Sequence, residues 1–338
     1  MEKFVLNLNK RMKSIMIEGV GAYLPERVVT NDDLAKIVDT SDEWIRTRTG
    51  IGERHLAAEN EACSDLAVRA AQQAIEDAGL QPNDVDLLIV ATVTPDYITP
   101  SCAVLIQAKL GLRIVPSFDI NAACSGFLYA LEVARHLLQN NSCRHALVIG
   151  SEKLSSIVNW EDRSTCVLFG DGAGAFVLGN GASDWPVIRD GFSGADGSVA
   201  NLLCVPAGGS AQPASAATVE GHLHTITMNG GELFKAAVRH MAEAVETLLG
   251  RNNLTTKDIA WFVPHQANIR IVQALAQQLN VPMERFVCNI EHTGNTSAAS
   301  IPIAFAQAKA EGRFRKGDRI VLTAFGAGLT WAATLVEW

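Results

Sequence analysis

The sequence predicts an α/β protein built from two similar halves, and three observations carry that prediction. Short apolar runs alternate with longer stretches whose apolar residues recur at helical spacing, as in strands alternating with amphipathic helices. Hydrophobic residues make up 48% of the 338 and charged ones 19%, which suits a large core with little disorder. The order of elements also occurs twice. Leu80-Q-P-N-D-V-D-L-L-I-V is echoed by Leu254-T-T-K-D-I-A-W-F-V, with Asp84 opposite Asp258, and a long apolar-periodic helix precedes each, over Leu66 to Ala78 and Leu233 to Leu249. Arg144-H-A-L-V-I-G resembles Arg319-I-V-L-T-A-F-G, and Gly174-A-F-V-L resembles Trp331-A-A-T-L-V. We read an N-terminal extension over 1–14, a first half over 15–182 and a second over 183–338, related by duplication. The plain alternative is that any two βα units look alike.

In order along the chain, Ile15 to Pro25 reads as a strand and turn, and Asn31 to Thr40 as a short helix with a polar cap. Thr40 to Arg54, T-S-D-E-W-I-R-T-R-T-G-I-G-E-R, is a polar, Arg-rich stretch carrying one Trp. Ser64 opens a helix to about Ala78, which Gly79 stops. Asp86 to Val93 reads as a strand, Ala103 to Leu110 as a helix and Ile114 to Ile120 as a buried strand. A helix then follows through Phe127, Leu131 and Leu138, and a strand over Ala146 to Ile149. Thr165 to Leu178, containing G-D-G-A-G-A-F-V-L, reads as two strands joined at glycines.

A formal net charge of −8 argues against non-specific nucleic-acid binding. No apolar stretch reaches membrane-spanning length. Seven cysteines with no C-x-x-C pair argue against both a zinc site and a disulfide framework, and point to a reducing cytoplasm. The opening M-E-K-F-V-L-N-L-N-K-R-M-K-S lacks a signal-peptide pattern. Neither a metal nor a bound cofactor is expected.

The stretch Asp119-I-N-A-A-C-S-G-F-L-Y-A-L places Cys124 where a strand stops and a helix starts. A helix N-terminus there would favour thiolate over thiol, and small neighbours leave room for a substrate. A small buried hydrophobe is the bland reading. In Val263-P-H-Q-A-N-I-R, His265 ends an apolar strand; in Glu291-H-T-G-N-T-S-A-A-S, Asn295 sits in a turn before a helix. Alone, each is ordinary structural chemistry. Together they suit a cysteine that takes an acyl group and two N–H donors that hold an enolate, as when a malonyl thioester loses carbon dioxide. The loop Leu322-T-A-F-G-A-G-L-T-W would bring backbone N–H groups to a thioester on Cys124.

These motifs, T-S-D-E-W-I-x-T-R-T-G-I, A-A-C-x-G-F, F-G-D-G-A-G-A, V-P-H-Q-A-N and G-N-T-S-A-A-S, resemble those of the β-ketoacyl-acyl-carrier-protein synthase III family, from about Ile15 to Trp338. The resemblance implies a thiolase-like five-layered αβαβα fold and a homodimer. It implies condensation of an acyl-CoA starter with malonyl-acyl carrier protein, with coenzyme A thioester and phosphopantetheine as substrates and not cofactors. It implies Cys124 as the acylated nucleophile, with His265 and Asn295 binding the malonyl carbonyl. Cys124 and Ala327 N–H would form the other oxyanion hole, beside Gly326 and Phe325. Trp44, Arg48 and Arg163 would hold the coenzyme nucleotide, with Phe234 and Asn268 along the pantetheine path. Lys235 and Arg270 would meet the acidic carrier.

Several positions depart from the family pattern. Thr293 stands in H-T-G-N where H-G-N is usual. Ala327 stands where many members have Gly, Gly231 replaces an Asn, and Gln277 and Gln278 replace lysines. Thr99 stands where some members place a Phe that caps the partner's acyl pocket, so a starter longer than acetyl is expected. Alternatives are a secondary-metabolism acyltransferase of the same superfamily using another acceptor, a non-catalytic partner subunit, and a cysteine hydrolase.

Overall fold

The computed structural model describes residues 14–140, 143–180 and 186–338. The expected extension over 1–14, all but its last residue, and the expected boundary between 182 and 183 lie outside the described residues. The first half contains β1 (Ile15–Tyr23), β2 (Arg27–Thr30), α1 (Asn31–Leu34), α2 (Asp42–Thr49), β3 (Glu53–Leu56), α3 (Cys63–Asp77) and β4 (Leu87–Ala91). It continues with α4 (Cys102–Leu110), β5 (Ser117–Ile120), α5 (Gly126–Gln139), β6 (His145–Glu152), α6 (Arg163–Cys166) and β7 (Gly172–Gly179). The second half contains β8 (Val187–Ala195), β9 (Leu203–Cys204), α7 (Ala216–Glu220), β10 (Thr227–Met228), α8 (Gly230–Arg251) and β11 (Trp261–Pro264). It ends with α9 (Ile269–Gln278), α10 (Ile290–Thr293), α11 (Ser300–Ala310), β12 (Arg319–Gly326) and β13 (Thr330–Glu337).

Nine strands form one hydrogen-bonded order, β11-β12-β13-β8-β1-β7-β6-β4-β5. The order reads the same way outward from its middle. β1 and β8 meet through Ile15↔Ile188 and Met16↔Val187; β7 and β13 flank them antiparallel; β6 and β12 come next; β4 and β11 pair parallel beyond those. The echoed loops match in detail. Asp84 accepts the Gln81 N–H and Asp258 accepts the Thr255 N–H, each at 2.8 Å, closing the same turn before β4 and β11.

Five layers follow from where apolar faces are buried. One core packs α3 and α4 on the outside of the first-half strands through Leu66, Ala70, Ile106 and Val90. A second packs α8 and α9 on the outside of the second half through Val245, Leu248, Val272 and Phe262. Between them lie α5 and α11, with Phe127, Phe176 and Phe305 at their centre. That explains why α11, Ser300-I-P-I-A-F-A-Q-A-K-A, is apolar from Ile301 to Phe305: those residues are buried, and partial exposure begins only at Ala306. A fourth cluster, around Leu34, Ile45, Phe169 and Ile226, caps the strand ends.

Four local expectations need correction. The strand before Cys124 begins at Ser117, and Ile114 is 98% exposed, because Pro116 breaks the run before pairing starts. The helix at Asn31 stops at Leu34, and the Arg-rich stretch holds a helix of its own, α2. Ser41 caps α2 by accepting the Trp44 N–H, and Gly50 closes it at φ 79. The G-D-G-A-G-A run is not a hairpin but the approach to one strand, β7. Gly170 lies against the backbone of Thr293, and the Asp171 carboxylate accepts N–H groups of Ala57 and Ser155.

Candidate active site

Cys124 lies in a short 3-10 turn, Ala123–Ser125, between β5 and α5. Ala123 holds a left-handed φ of 47, a cost the surroundings offset with pins from the second half. The Thr330 hydroxyl donates to Ala122 O at 2.9 Å, and the Ser125 hydroxyl donates to Thr330 O at 3.1 Å. Gly326 closes on the turn so tightly that a Cβ would stand 2.7 Å from Cys124 N. Ala327 keeps a negative φ while Gly328 takes φ 134, so the alanine occupies no glycine-only conformation.

The expected preference for thiolate is not what the site provides. The residue's own N–H and the Ser297 hydroxyl favour the anion, but burial outweighs them and pushes the Cys124 thiol up to about 11.

His265 follows β11, and its N–H donates to Thr323 O at 2.8 Å. The ring is 3% exposed, and burial lowers its pKa to about 3, so it is neutral at pH 7. Nδ1 lies 2.6 Å from the Ser300 hydroxyl, which also accepts a weak hydrogen bond from Gln266 N–H at 3.4 Å. With the Ser300 hydroxyl donating to Nδ1, the neutral ring would carry its hydrogen on Nε2.

Asn295 is fixed by its backbone. Its N–H donates to Leu168 O at 2.8 Å, and its carbonyl accepts Gly170 N–H at 3.0 Å. Its Oδ1 accepts Ser297 N–H at 2.9 Å, which sets the amide's orientation and leaves Nδ2 for another acceptor. The Thr293 departure leaves this turn intact: its hydroxyl donates to Asn289 O, and Gly294 turns the chain at φ 63.

Cys124, His265 and Asn295 share one cavity of about 150 Å³ with Phe325, Gly326, Phe234 and Asn268. A second cavity, about 430 Å³, reaches Cys124 from the other side. It is lined by Val93, Leu154, Ile157, Leu203 and Ile226, with Ala327 and Ser297 beside the sulfur.

The remaining expected residues spread outward. Arg48 and Arg163 both stack on Trp44, with guanidinium carbons 4.5 and 4.8 Å from the ring centroid. Arg163 donates to Asp39 O at 2.7 Å. A purine between Trp44 and Arg163 needs roughly 7 Å, so Arg163 must swing aside to admit one. Asn268 caps α9 by accepting Arg270 N–H and donates to Arg48 O at 3.0 Å, tying that helix to the Trp44 cluster. Lys235 and Arg270 are exposed, and Lys235 has only a weak 3.7 Å pairing with Glu232. Thr99 is exposed and lines neither cavity of its own chain.

Sequence reasoning missed Ser297, Ser300 and Glu152. The first two were signalled by hydroxyls in T-S-A-A-S, spaced like the small residues before α5. The third was signalled by an acid directly after an apolar strand.

Two family models match, 3-oxoacyl-[acyl-carrier-protein] synthase III over residues 118–197 and its C-terminal part over 249–338. A β-ketoacyl-[acyl-carrier-protein] synthase III of Caldanaerobacter subterraneus subsp. tengcongensis is 51% identical over 95% of this chain and 97% of its own. The crystal structure of 3-oxoacyl-[acyl-carrier-protein] synthase III from Aquifex aeolicus superposes with a TM-score of 0.88 at 48% identity, covering 96% of this chain and 100% of that one. The priming β-ketosynthase of the R1128 polyketide pathway gives 0.88 at 36% identity, covering 96% and 97%. With that likeness end to end, and a cysteine, a histidine and an asparagine on one cavity, the chain belongs to the β-ketoacyl-acyl-carrier-protein synthase III family.

Proposed function

We infer that the chain primes fatty-acid synthesis by decarboxylative condensation of an acyl-CoA with malonyl-acyl carrier protein. The observation that carries the reading is the shared cavity: a nucleophile and two uncharged N–H donors, with a separate apolar cavity behind the nucleophile. In acylation, the Cys124 sulfur attacks the starter's carbonyl carbon and the coenzyme thiolate leaves. The oxyanion lies against the N–H groups of Cys124 and Ala327, and the acyl chain enters the apolar cavity. In condensation, the malonyl carbonyl accepts from His265 Nε2–H and Asn295 Nδ2–H. The carbon–carbon bond to carboxylate breaks, carbon dioxide leaves, and the enolate carbon attacks the Cys124 thioester. Neutral donors suit this step, since they stabilise the enolate oxygen without surrendering a proton to it.

Trp44, Arg48 and Arg163 bind the coenzyme nucleotide, Phe234 and Asn268 line the pantetheine path, and Lys235 with Arg270 offers charge to an acidic carrier. Seven cysteines without a disulfide fit a cytoplasmic enzyme. A homodimer is supported by β5, an edge strand whose neighbouring loop exposes Ile98 at 93% and Tyr97 at 59%.

Intact-mass spectrometry after exposure to acyl-CoA tests the reading. The adduct falls on Cys124. His265→Ala and Asn295→Ala still acquire it but release carbon dioxide from malonyl-acyl carrier protein ~10²–10³-fold more slowly. Loss of acylation in both would assign the roles wrongly. A second reading, transfer to a different acceptor in a secondary pathway, is favoured by the likeness to the polyketide priming enzyme and by exposed Gln277 and Gln278 on α9. A panel of acceptors separates the two.

A further inference from the structure

Two buried thiols lie away from Cys124, and the condensing reaction uses neither. Cys63 opens α3 and Cys102 opens α4, 1% and 0% exposed. The two helices pack on each other. Asp96, half-buried in the connection between β4 and α4, brings a carboxylate to both starts. Its Oδ1 lies 3.6 Å from the Cys102 sulfur, and the ligand atoms of Cys63, Asp96 and Cys102 all lie within 4.8 Å of one another. Among the described residues this is the one trio of His, Cys, Asp or Glu gathered so closely. The thiols come from different helices, so no C-x-x-C spacing announces the pair. Local chemistry accounts for each group singly: Cys63 donates to Ser151 O at 3.2 Å, and Asp96 accepts the Ser64 N–H at 2.9 Å. It does not account for two sulfurs and a carboxylate oxygen turned to one point.

The spacing suits a tetrahedral cation. Zinc bonds of about 2.3 Å to sulfur and about 2.0 Å to oxygen set ligand-to-ligand edges of about 3.5 to 3.8 Å. The Cys102–Asp96 edge already matches. The other two need to close by at most about 1.3 Å, within reach of a modest thiol rotation. The surroundings favour negative ligands. The positive ends of α3 and α4 meet the two sulfurs. The Ser64 hydroxyl donates to Asp96 Oδ2 at 2.6 Å and accepts from the Lys109 ammonium at 2.6 Å, so the carboxylate is oriented from behind and a positive charge backs it. Asp119 accepts the N–H groups of Cys102 and Ala103, which fixes the start of α4. Thiolates select a borderline-soft cation such as zinc over magnesium or calcium.

We propose that Cys63, Asp96 and Cys102 bind one zinc-class divalent cation, with water as the fourth ligand. Both cysteines are thiols in the metal-free protein at neutral pH. On binding, two S–H bonds break, both protons pass to solvent, and the cation takes the two thiolates and one Asp96 oxygen. Half-exposed Asp96 gives the ion its way in. The bound ion joins α3, α4 and the connection that carries Tyr97, Ile98 and Thr99, and so stiffens the edge of the first half. None of the three ligands lines either cavity at Cys124, and the site stands independently of the condensing reading.

The test is cadmium and zinc binding by the untagged full-length protein, reduced with a phosphine and stripped with a chelator. Cadmium reports each thiolate bond by ultraviolet sulfur-to-metal absorbance, and zinc competes it away. The parent takes up one cation per chain. Cys63→Ser and Cys102→Ser each halve the absorbance per cation and weaken binding ~10²-fold or more. Asp96→Asn weakens binding and keeps the absorbance. Cys124→Ala binds as the parent does, which separates this site from the nucleophile. Zinc raises the unfolding midpoint of the parent and of Cys124→Ala, and leaves both serine variants unmoved. If the serine variants do not fold, anomalous scattering from parent crystals grown with zinc decides the matter, with the peak ~2.3 Å from both sulfurs. No uptake by the reduced parent, uptake unchanged in both serine variants, or an anomalous peak only at Cys124 overturns the proposal.

Discussion

What a side chain can do in this cavity depends on which of its atoms are already engaged. Asn295 spends Oδ1 on Ser297 N–H, and His265 spends Nδ1 on Ser300, so in the proposed reaction each would keep one N–H for the malonyl carbonyl. Ser300→Ala removes the group that holds the His265 tautomer. It should slow decarboxylation ~10-fold or more while leaving Cys124 acylation at the parental rate, read by carbon dioxide release against intact mass. The two buried titratable groups also oppose each other in stability. His265 falls from 6.5 to about 3 on folding, so the unfolded chain holds the extra proton between those values. Its contribution is complete above pH 6.5 and is lost as pH falls through that window, by about 1.4 kcal/mol per pH unit. Glu152 rises from 4.5 to about 7, so the folded chain holds the extra proton there. Its contribution is complete below 4.5 and lost as pH rises through 7. Urea unfolding at pH 5 and pH 8 should therefore show Glu152→Gln gaining on the parent at the higher pH, by a few kcal/mol at most.

At the scale of elements, the tightest constraint is the approach of β12 to the nucleophile turn. A methyl at Gly326 would meet Cys124 N at 2.7 Å and Ser125 N at 3.1 Å, both backbone atoms that cannot rotate away. Gly326→Ala should keep the fold, by circular dichroism, yet lower acylation ~10²-fold, since small misplacements at a reacting centre are costly. That closeness was invisible in the sequence, where F-G-A-G read as a loop of small residues. Periodicity did locate α3, α5 and α8, because each has one face on a sheet and one elsewhere, and it found the echoed turns at Asp84 and Asp258. It failed where burial was two-sided or pairing was short. The Arg-rich stretch hid α2 because capping by Ser41 and Gly50, not an apolar face, defines that helix. Cys124, His265 and Asn295 were legible as a set because each ends a strand or a turn in a recognisable motif. Glu152 was not, because nothing in S-E-K says that its carboxyl turns inward to the hydroxyls of Thr92 and Thr94.

At the scale of the whole molecule, the sheet's mirror-like order leaves one free end in the first half, β5, immediately before the nucleophile turn. Asp119 on β5 accepts N–H groups of Cys102 and Ala103, which fastens the loop carrying Tyr97, Ile98 and Thr99 to that edge. Ile98 and Ile114 thus expose apolar surface around a strand with one open edge, the arrangement a second copy would cover. Thr99 lines neither of the two cavities that meet at Cys124, so in the proposed homodimer an effect on starter length would act on the other copy's apolar cavity. Two variants separate these relations. Thr99→Phe should lose the longer acyl-CoAs from a graded series while still accepting acetyl-CoA, scored by the mass added at Cys124. Ile98→Asp with Ile114→Asp should sediment as a monomer, and in that background residue 99 should no longer matter. A Phe that shortened the accepted chain equally in the monomer would mean that the loop folds back over its own pocket, and the edge of β5 would then need a different explanation.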